Sequence, residues 1–60
     1  MPNVFFKVTI MTWSGRSVVR EMRGPAVEEF LTNDAPNDGR IKFVAVTRGN
    51  KYICDWDARR

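Results

Sequence analysis

The chain has 60 residues, 43% of them hydrophobic and 28% charged, with four Phe, two Trp and one Tyr. A disordered chain does not carry so many aromatic residues, so we expect one small folded domain over residues 1–60. The chain has no histidine and a single cysteine, Cys54, which excludes an intramolecular disulfide, a cysteine zinc site and a histidine-activated nucleophile. The composition therefore predicts a non-enzymatic protein with no cofactor and no metal.

The net charge of +3 is unevenly distributed along the sequence. Residues 21–38 carry −4, because Arg23 is the one cation among five acids, and the remaining residues therefore carry +7. We expect a two-sided molecule with acids gathered around its helix and cations on its strands, turns and tail. The five acids are Glu21, Glu28, Glu29, Asp34 and Asp38.

The sequence contains no stretch that resembles a targeting or membrane segment. Lys7, Thr9 and Thr12 interrupt the apolar residues near the start, and the longest apolar run is the four residues 43–46. A membrane helix needs roughly 20 apolar residues. With its lone cysteine suited to a reducing compartment, the chain is expected to be a soluble cytoplasmic protein.

Alternating apolar residues near the start predict a β-hairpin. The first strand runs from Val4 to Trp13, residues 14–17 form a turn, and the second strand runs from Val18 to Arg23. One possible register opposes Trp13 to Val18 and another opposes it to Ser17, and the pattern does not decide between them. Alternation places Val4, Phe6, Val8 and Ile10 on one face and Phe5, Lys7, Thr9, Met11 and Trp13 on the other.

Gly24-Pro25 predicts the start of a short helix, because proline is tolerated at the first helical position. Val27, Phe30 and Leu31 recur at helical spacing and are expected to be buried. Asn33 is the expected C-terminal cap, and residues 33–39 are expected to form a loop. A helix this short is stable only when it docks on a sheet.

Gly49-Asn50 is a favoured two-residue turn between strands expected at 40–48 and 51–57. We expect an uninterrupted ladder from this turn, with one apolar core face and one open face. The core face would hold Phe43, Ala45, Thr47, Tyr52, Cys54 and Trp56. The open face would hold Lys42, Val44, Val46, Ile53, Asp55 and Asp57.

These elements predict an α+β fold of order β-β-α-β-β, with one short helix on one face of a four-stranded, largely antiparallel sheet. One short helix covers only one side of such a sheet. The uncovered side is expected to show an apolar patch of the kind that marks a contact surface. Its candidate residues for contact with a protein are Phe5, Met11, Trp13, Val44, Val46 and Ile53.

Two functional hypotheses follow. The first is a small regulator, such as a phage- or plasmid-borne modulator, that acts on a protein partner or self-associates as a homodimer through the open sheet face or an edge strand. The second is a nucleic-acid-binding domain whose cations follow a phosphate backbone beside a stacking Trp13. The second requires its cations on one face and both hairpin tips at the same end. Its candidate residues are Lys7, Trp13, Arg16, Arg20, Arg48, Lys51, Arg59 and Arg60.

Overall fold

Two β-hairpins joined side by side make up the sheet of the computed structural model, which describes residues 4–59. The strands are β1 (Phe5–Thr12), β2 (Ser17–Arg23), β3 (Ile41–Arg48) and β4 (Lys51–Asp57). Their spatial order is β2-β1-β3-β4, and every neighbouring pair is antiparallel. The expected order β-β-α-β-β is confirmed, and the inner strands β1 and β3 join the two hairpins.

The segment between the hairpins is helical for longer than the sequence predicts. It consists of α1 (Gly24–Glu29), a π-helical turn (Phe30–Asp34) and α2 (Ala35–Asn37), here together called the helical segment. The expected helix end at Asn33 and the expected loop over 33–37 are therefore wrong. Ala35, which lies in that expected loop, is fully buried.

The π-helical turn explains how the helix passes Pro36. A proline inside a regular α-helix has no N–H to donate and its ring clashes with the carbonyl four residues earlier, here that of Thr32. The wider turn lets the Ala35 N–H bond to the Phe30 carbonyl five residues back. The Asn37 side-chain amide then donates to the Asn33 carbonyl at 2.7 Å, which satisfies one of the last free carbonyls.

The first hairpin closes on neither register that the sequence left open. Thr12 pairs with Arg16, and the Thr12 N–H bonds to the Arg16 carbonyl at 2.9 Å around a three-residue loop. Gly15 has a φ of +90°, which glycine adopts without a steric penalty, so it occupies the last loop position. This register opposes Ile10 to Val18 and Thr9 to Val19.

The second hairpin turns at Gly49-Asn50 as expected. Gly49 has a φ of +61° and Asn50 a negative φ, which fits a type II′ turn with glycine in the first central position. Arg48 pairs with Lys51, and Thr47 pairs with Tyr52.

A β-bulge then shifts the rest of this hairpin by one residue. After Thr47↔Tyr52 the next pair is Val46↔Cys54, so Ile53 has no partner on β3. Val44 consequently lies opposite Trp56, and Ala45 lies opposite Asp55. The expected uninterrupted ladder is wrong.

The bulge places Cys54 and Trp56 opposite Val46 and Val44, on the side of the sheet that faces the helical segment. Val44 and Val46 are fully buried, while Cys54 and Trp56 are half-buried against them. The expectation that Val44 and Val46 lie on the open face is therefore wrong. Phe43, expected in the core, is half-buried and lies on the open face with Ala45 and Thr47.

The core lies between the sheet and the helical segment. Burying each such apolar side chain contributes about 1.5–3 kcal/mol, which makes this contact the main source of stability. The expected burial of Val27 and Phe30 is confirmed, and Leu31 is half-buried. The buried residues are Val8, Ile10, Val27, Phe30, Ala35, Ile41, Val44 and Val46.

Candidate binding surfaces

The sheet face opposite the helical segment, here called the open face, has no other described element packed on it. Cross-strand neighbours form rows across it, such as Val19, Thr9, Ala45 and Asp55. Its exposed apolar side chains are Phe5, Met11, Val19 and Tyr52. The open face therefore presents several exposed apolar side chains, spread over three of its four strands, that are accessible to a partner.

Charged groups lie at opposite corners of the open face. Lys7 and Arg23 lie on β1 and β2 near the start of β1, where Arg23 is 5.7 Å from the centre of the Phe5 ring. Asp55 and Asp57 lie on β4 towards its end, and the Asp55 carboxylate accepts a hydrogen bond from the Tyr52 hydroxyl. Glu21 faces Lys7 across the strands, so only the acidic corner carries a clear excess of charge.

The expected protein-contact residues divide into three groups. Phe5 and Met11 are exposed on the open face, as the sequence predicts. Val44 and Val46 are buried beneath the helical segment and cannot touch a partner without unfolding. Ile53 is exposed in the bulge and Trp13 in the hairpin loop.

The expected nucleic-acid residues do not assemble on one surface. β1 ends where β3 begins, so the hairpin tips at Arg16 and at Arg48-Lys51 point to opposite ends of the sheet. Lys7 lies on the open face, whereas Arg20 lies on the other face. Arg60 lies outside the described residues.

Two cations lie close to the Trp13 ring at one end of the sheet. The Lys42 ammonium lies 5.7 Å and the Arg59 guanidinium 5.9 Å from the centre of its ring, within cation–π range. The backbone N–H of Trp13 donates a hydrogen bond to the Arg40 carbonyl at 3.1 Å, which connects the hairpin tip to the start of β3. Sequence reasoning missed Lys42 and Arg40, because only the β1–β3 pairing brings them to Trp13.

A groove of about 850 Å³, here called the β2 groove, lies on the helix-facing side of the first hairpin, between β2 and residues 38–41, with Phe30 as its one lining residue from the helical segment. Its floor includes Ile10, Phe30 and Ile41, and the exposed Val18 lies beside them. Its rim carries Trp13 and three arginines, Arg16, Arg20 and Arg40. An apolar floor with a cationic rim suits a ligand that is both apolar and anionic.

Asp38 holds Arg40 at the end of the β2 groove. Its carboxylate accepts hydrogen bonds from the Arg40 side chain at 3.1 Å and from the Arg40 backbone N–H at 3.0 Å. The side-chain bond is the main cause that lowers the pKa of Asp38 from its ordinary value of 3.8. The same pair raises the pKa of Arg40. Arg16 and Arg20 have no such acid among the described contacts, so they supply the rim's free positive charge.

Replacing Asp38 with asparagine is expected to lower the melting temperature slightly at neutral pH. A carboxyl group with a lowered native pKa stabilises the fold above its unfolded pKa, and this contribution is lost as the pH falls through the native value. The difference between wild type and Asp38→Asn should thus be constant at neutral pH and should shrink below pH 3.8. Thermal melts across the acidic range measure it. A difference that grows on acidification would contradict the assigned pair.

Other chemistry is sparse in the described part of the chain. Within residues 4–59, no group of three or more His, Cys, Asp or Glu side chains is placed to hold a metal ion. Cys54 is a half-buried free thiol. None of the helices described is both long enough and apolar enough to cross a membrane.

Comparison of the chain with protein-family models, with curated proteins and with solved structures finds no match in any of the three. The open face and the β2 groove are therefore the two features of the molecule from which a function is inferred.

Proposed function

We propose that this domain is a small non-enzymatic binding protein that self-associates through its open face, as a regulator working in the cytoplasm. The observation that carries the proposal is the set of exposed apolar side chains on that face, which includes Val19 on the edge strand β2, 54% exposed. Exposed apolar patches on small domains mark contact surfaces. Burying this patch would also add stability that a 60-residue core supplies sparingly.

The charges of the open face favour a second copy of the chain as the partner, because Lys7 and Arg23 against Glu21 leave one net positive charge opposite in sign to the acidic corner. A two-fold axis between two stacked faces presents the same surface from each copy. When the axis runs along the diagonal that joins the two uncharged corners, the acidic corner at Asp55 and Asp57 lies over the corner of Lys7 and Arg23 in the other copy. The strands of the two sheets then cross at near right angles, which is one of the two common sheet packings.

Nucleic-acid binding is not advanced as the main function. Its candidate cations divide between both ends and both faces of the sheet, and Asp55 and Asp57 lie on the same face as Lys7. A phosphate backbone would meet these acids along with the cations, which reduces the electrostatic attraction.

The chain offers a matched pair of substitutions to test self-association. Val18 and Val19 are neighbours on β2, are 47% and 54% exposed, and point to opposite faces of the sheet. Val19→Lys places a charge in the proposed interface and is expected to shift a dimer to monomer in sedimentation-velocity runs. Val18→Lys places the same charge in the β2 groove and should leave the dimer intact.

Two results would overturn the proposal. One is a wild-type protein that sediments as a monomer at every concentration up to its solubility limit. The other is a dimer that Val18→Lys dissociates and Val19→Lys does not, because the contact would then lie on the groove side. Circular dichroism of both variants confirms that any dissociation is not a consequence of unfolding.

A further inference from the structure

We infer that the edge of β2 and the β2 groove bind an extended, acidic segment of another protein, which joins the sheet as a fifth strand. This surface is separate from the open face, so the inference goes beyond self-association. The ligand is a peptide in which carboxylates alternate with apolar side chains on one of its two faces. Edge strands recruit such segments through backbone hydrogen bonds, and the side chains supply specificity.

Of the two edge strands in residues 4–59, only β2 is a regular template. β4 contains the bulge at Ile53, a common device that blunts an edge against pairing. β2 pairs with β1 without interruption over seven residues, contains no proline, and is exposed at every position except the half-buried Met22. The backbone N–H and C=O groups on the outer side of β2 are therefore regularly spaced and accessible for pairing with another strand.

The β2 groove provides the side-chain specificity on the helix-facing side. Across the strands from β1, this side of β2 presents Val18, Arg20 and Met22 in alternation. Directly opposed residues of antiparallel strands share a face and interact, so the complementary order is apolar, acidic, apolar. Arg16 adds a second cation beyond Val18, at the rim of the groove.

The observations favour a peptide over a single-stranded nucleic acid. Two cations of the chain already lie over the Trp13 ring, so the ring is not a vacant platform for a base. Asp38 lines the groove and would repel a continuous phosphate backbone. A peptide that carries carboxylates only opposite Arg16 and Arg20 brings fewer negative charges to the groove than a continuous phosphate backbone does.

A peptide probe can be designed residue by residue from the sequence of β2. The octapeptide Glu-Leu-Lys-Glu-Val-Ile-Thr-Glu, running antiparallel from Arg23 to Arg16, places a carboxylate against Arg20 and a lysine against Glu21. Labelled with a fluorophore, it is titrated with wild-type protein by fluorescence anisotropy. A second probe carries lysine at its fourth position, opposite Arg20. A third probe carries prolines at two consecutive central positions. Because backbone N–H groups of a strand point alternately to either side, one of the two prolines removes an N–H that would donate to β2.

Charge exchange is the decisive measurement. Arg20→Glu is expected to weaken binding of the first probe about tenfold, because an opposite-charge pair becomes a like-charge pair. The lysine probe should bind wild type more weakly and regain affinity for Arg20→Glu. Arg48→Glu, a matched charge reversal at the distant hairpin tip, should bind both probes as wild type does. The proline probe should not bind.

Several outcomes would overturn the inference. The first is no binding of the first probe to wild type, and the second is equal affinity for wild type and Arg20→Glu. Undiminished binding of the proline probe would also overturn it, because the peptide would not be joining the sheet. A single-stranded oligonucleotide that binds tightly with steep salt dependence, while the peptide does not, would reassign the groove to nucleic acid. Sedimentation of the same samples keeps this result separate from self-association through the open face.

Discussion

Replacing Phe30 with alanine is expected to destabilise the domain severely, up to complete unfolding at room temperature. Phe30 is buried between the helical segment and the sheet, and truncating a buried phenylalanine costs about 3–5 kcal/mol. A 60-residue domain has a total stability of roughly 3–9 kcal/mol. The substitution therefore removes much or all of the free energy of unfolding, which urea titrations followed by circular dichroism measure.

Phe43→Ala is the matched control for that experiment. The sequence pattern predicts Phe43 in the core, but the bulge places it half-buried on the open face. Its removal should cost only about 1 kcal/mol. A variant that unfolds at Phe43 and tolerates the change at Phe30 would show that the core lies on the other face of the sheet.

Deleting Ile53 is expected to leave the domain folded, with stability close to that of wild type. Ile53 is the unpaired, exposed residue of the bulge, and its removal converts β3 and β4 into an uninterrupted ladder. Without Ile53, Cys54 follows Tyr52 directly, so the pairs Thr47↔Tyr52 and Val46↔Cys54 are consecutive. Trp56 therefore remains opposite Val44. Few single-residue deletions inside a β-strand are so harmless, since a one-residue slip normally exchanges the two faces.

Deleting both Ile53 and Asp55 is the contrasting variant. The second deletion moves Trp56 opposite Ala45 and turns its side chain to the open face, which removes it from the core. A loss of about 3 kcal/mol is expected, on the scale of truncating a large aromatic side chain. Thermal melts and near-ultraviolet circular dichroism of both variants decide the matter. Equal stability of the single and double deletions would contradict the register described above.

Residue patterns that are local in the sequence predicted the fold well. The alternation in β1 placed Val8 and Ile10 inside and Phe5 and Met11 outside, as the structure has them. Gly49-Asn50 predicted the second turn, since only a few residue types adopt the backbone of a two-residue hairpin turn. These signals depend on neighbours within a few residues, which is why the sequence alone carries them.

Features that depend on tertiary packing were missed. On β3 the alternation allows either face to be buried, and an uninterrupted register from the Gly49-Asn50 turn set Phe43 opposite Trp56. Burial of Val44 and Val46 together with Trp56 requires a bulge between β3 and β4. No local residue preference at Ile53 predicts that bulge. The helix continued past Pro36 because a π-helical turn accommodated it, which propensity alone argues against.

The candidate surfaces were predicted only in part. Trp13 with nearby cations could be anticipated from Arg16, three residues away in the sequence. Lys42 and Arg59 approach the ring only because β1 pairs with β3 and β4 extends beside it. The β2 groove could not be anticipated, because it depends on how the helical segment lies across the sheet.

The strand order β2-β1-β3-β4 has a consequence for how the domain folds. Each hairpin is local in sequence and closes a short loop, so each can form early. The pairing of β1 with β3 must instead close the chain across the entire helical segment, and it is this pairing that unites the two halves of the core. We therefore expect the folding rate to depend mainly on the pairing of the two hairpins, so that substitutions between β1 and β3 slow folding more than those in the outer strands.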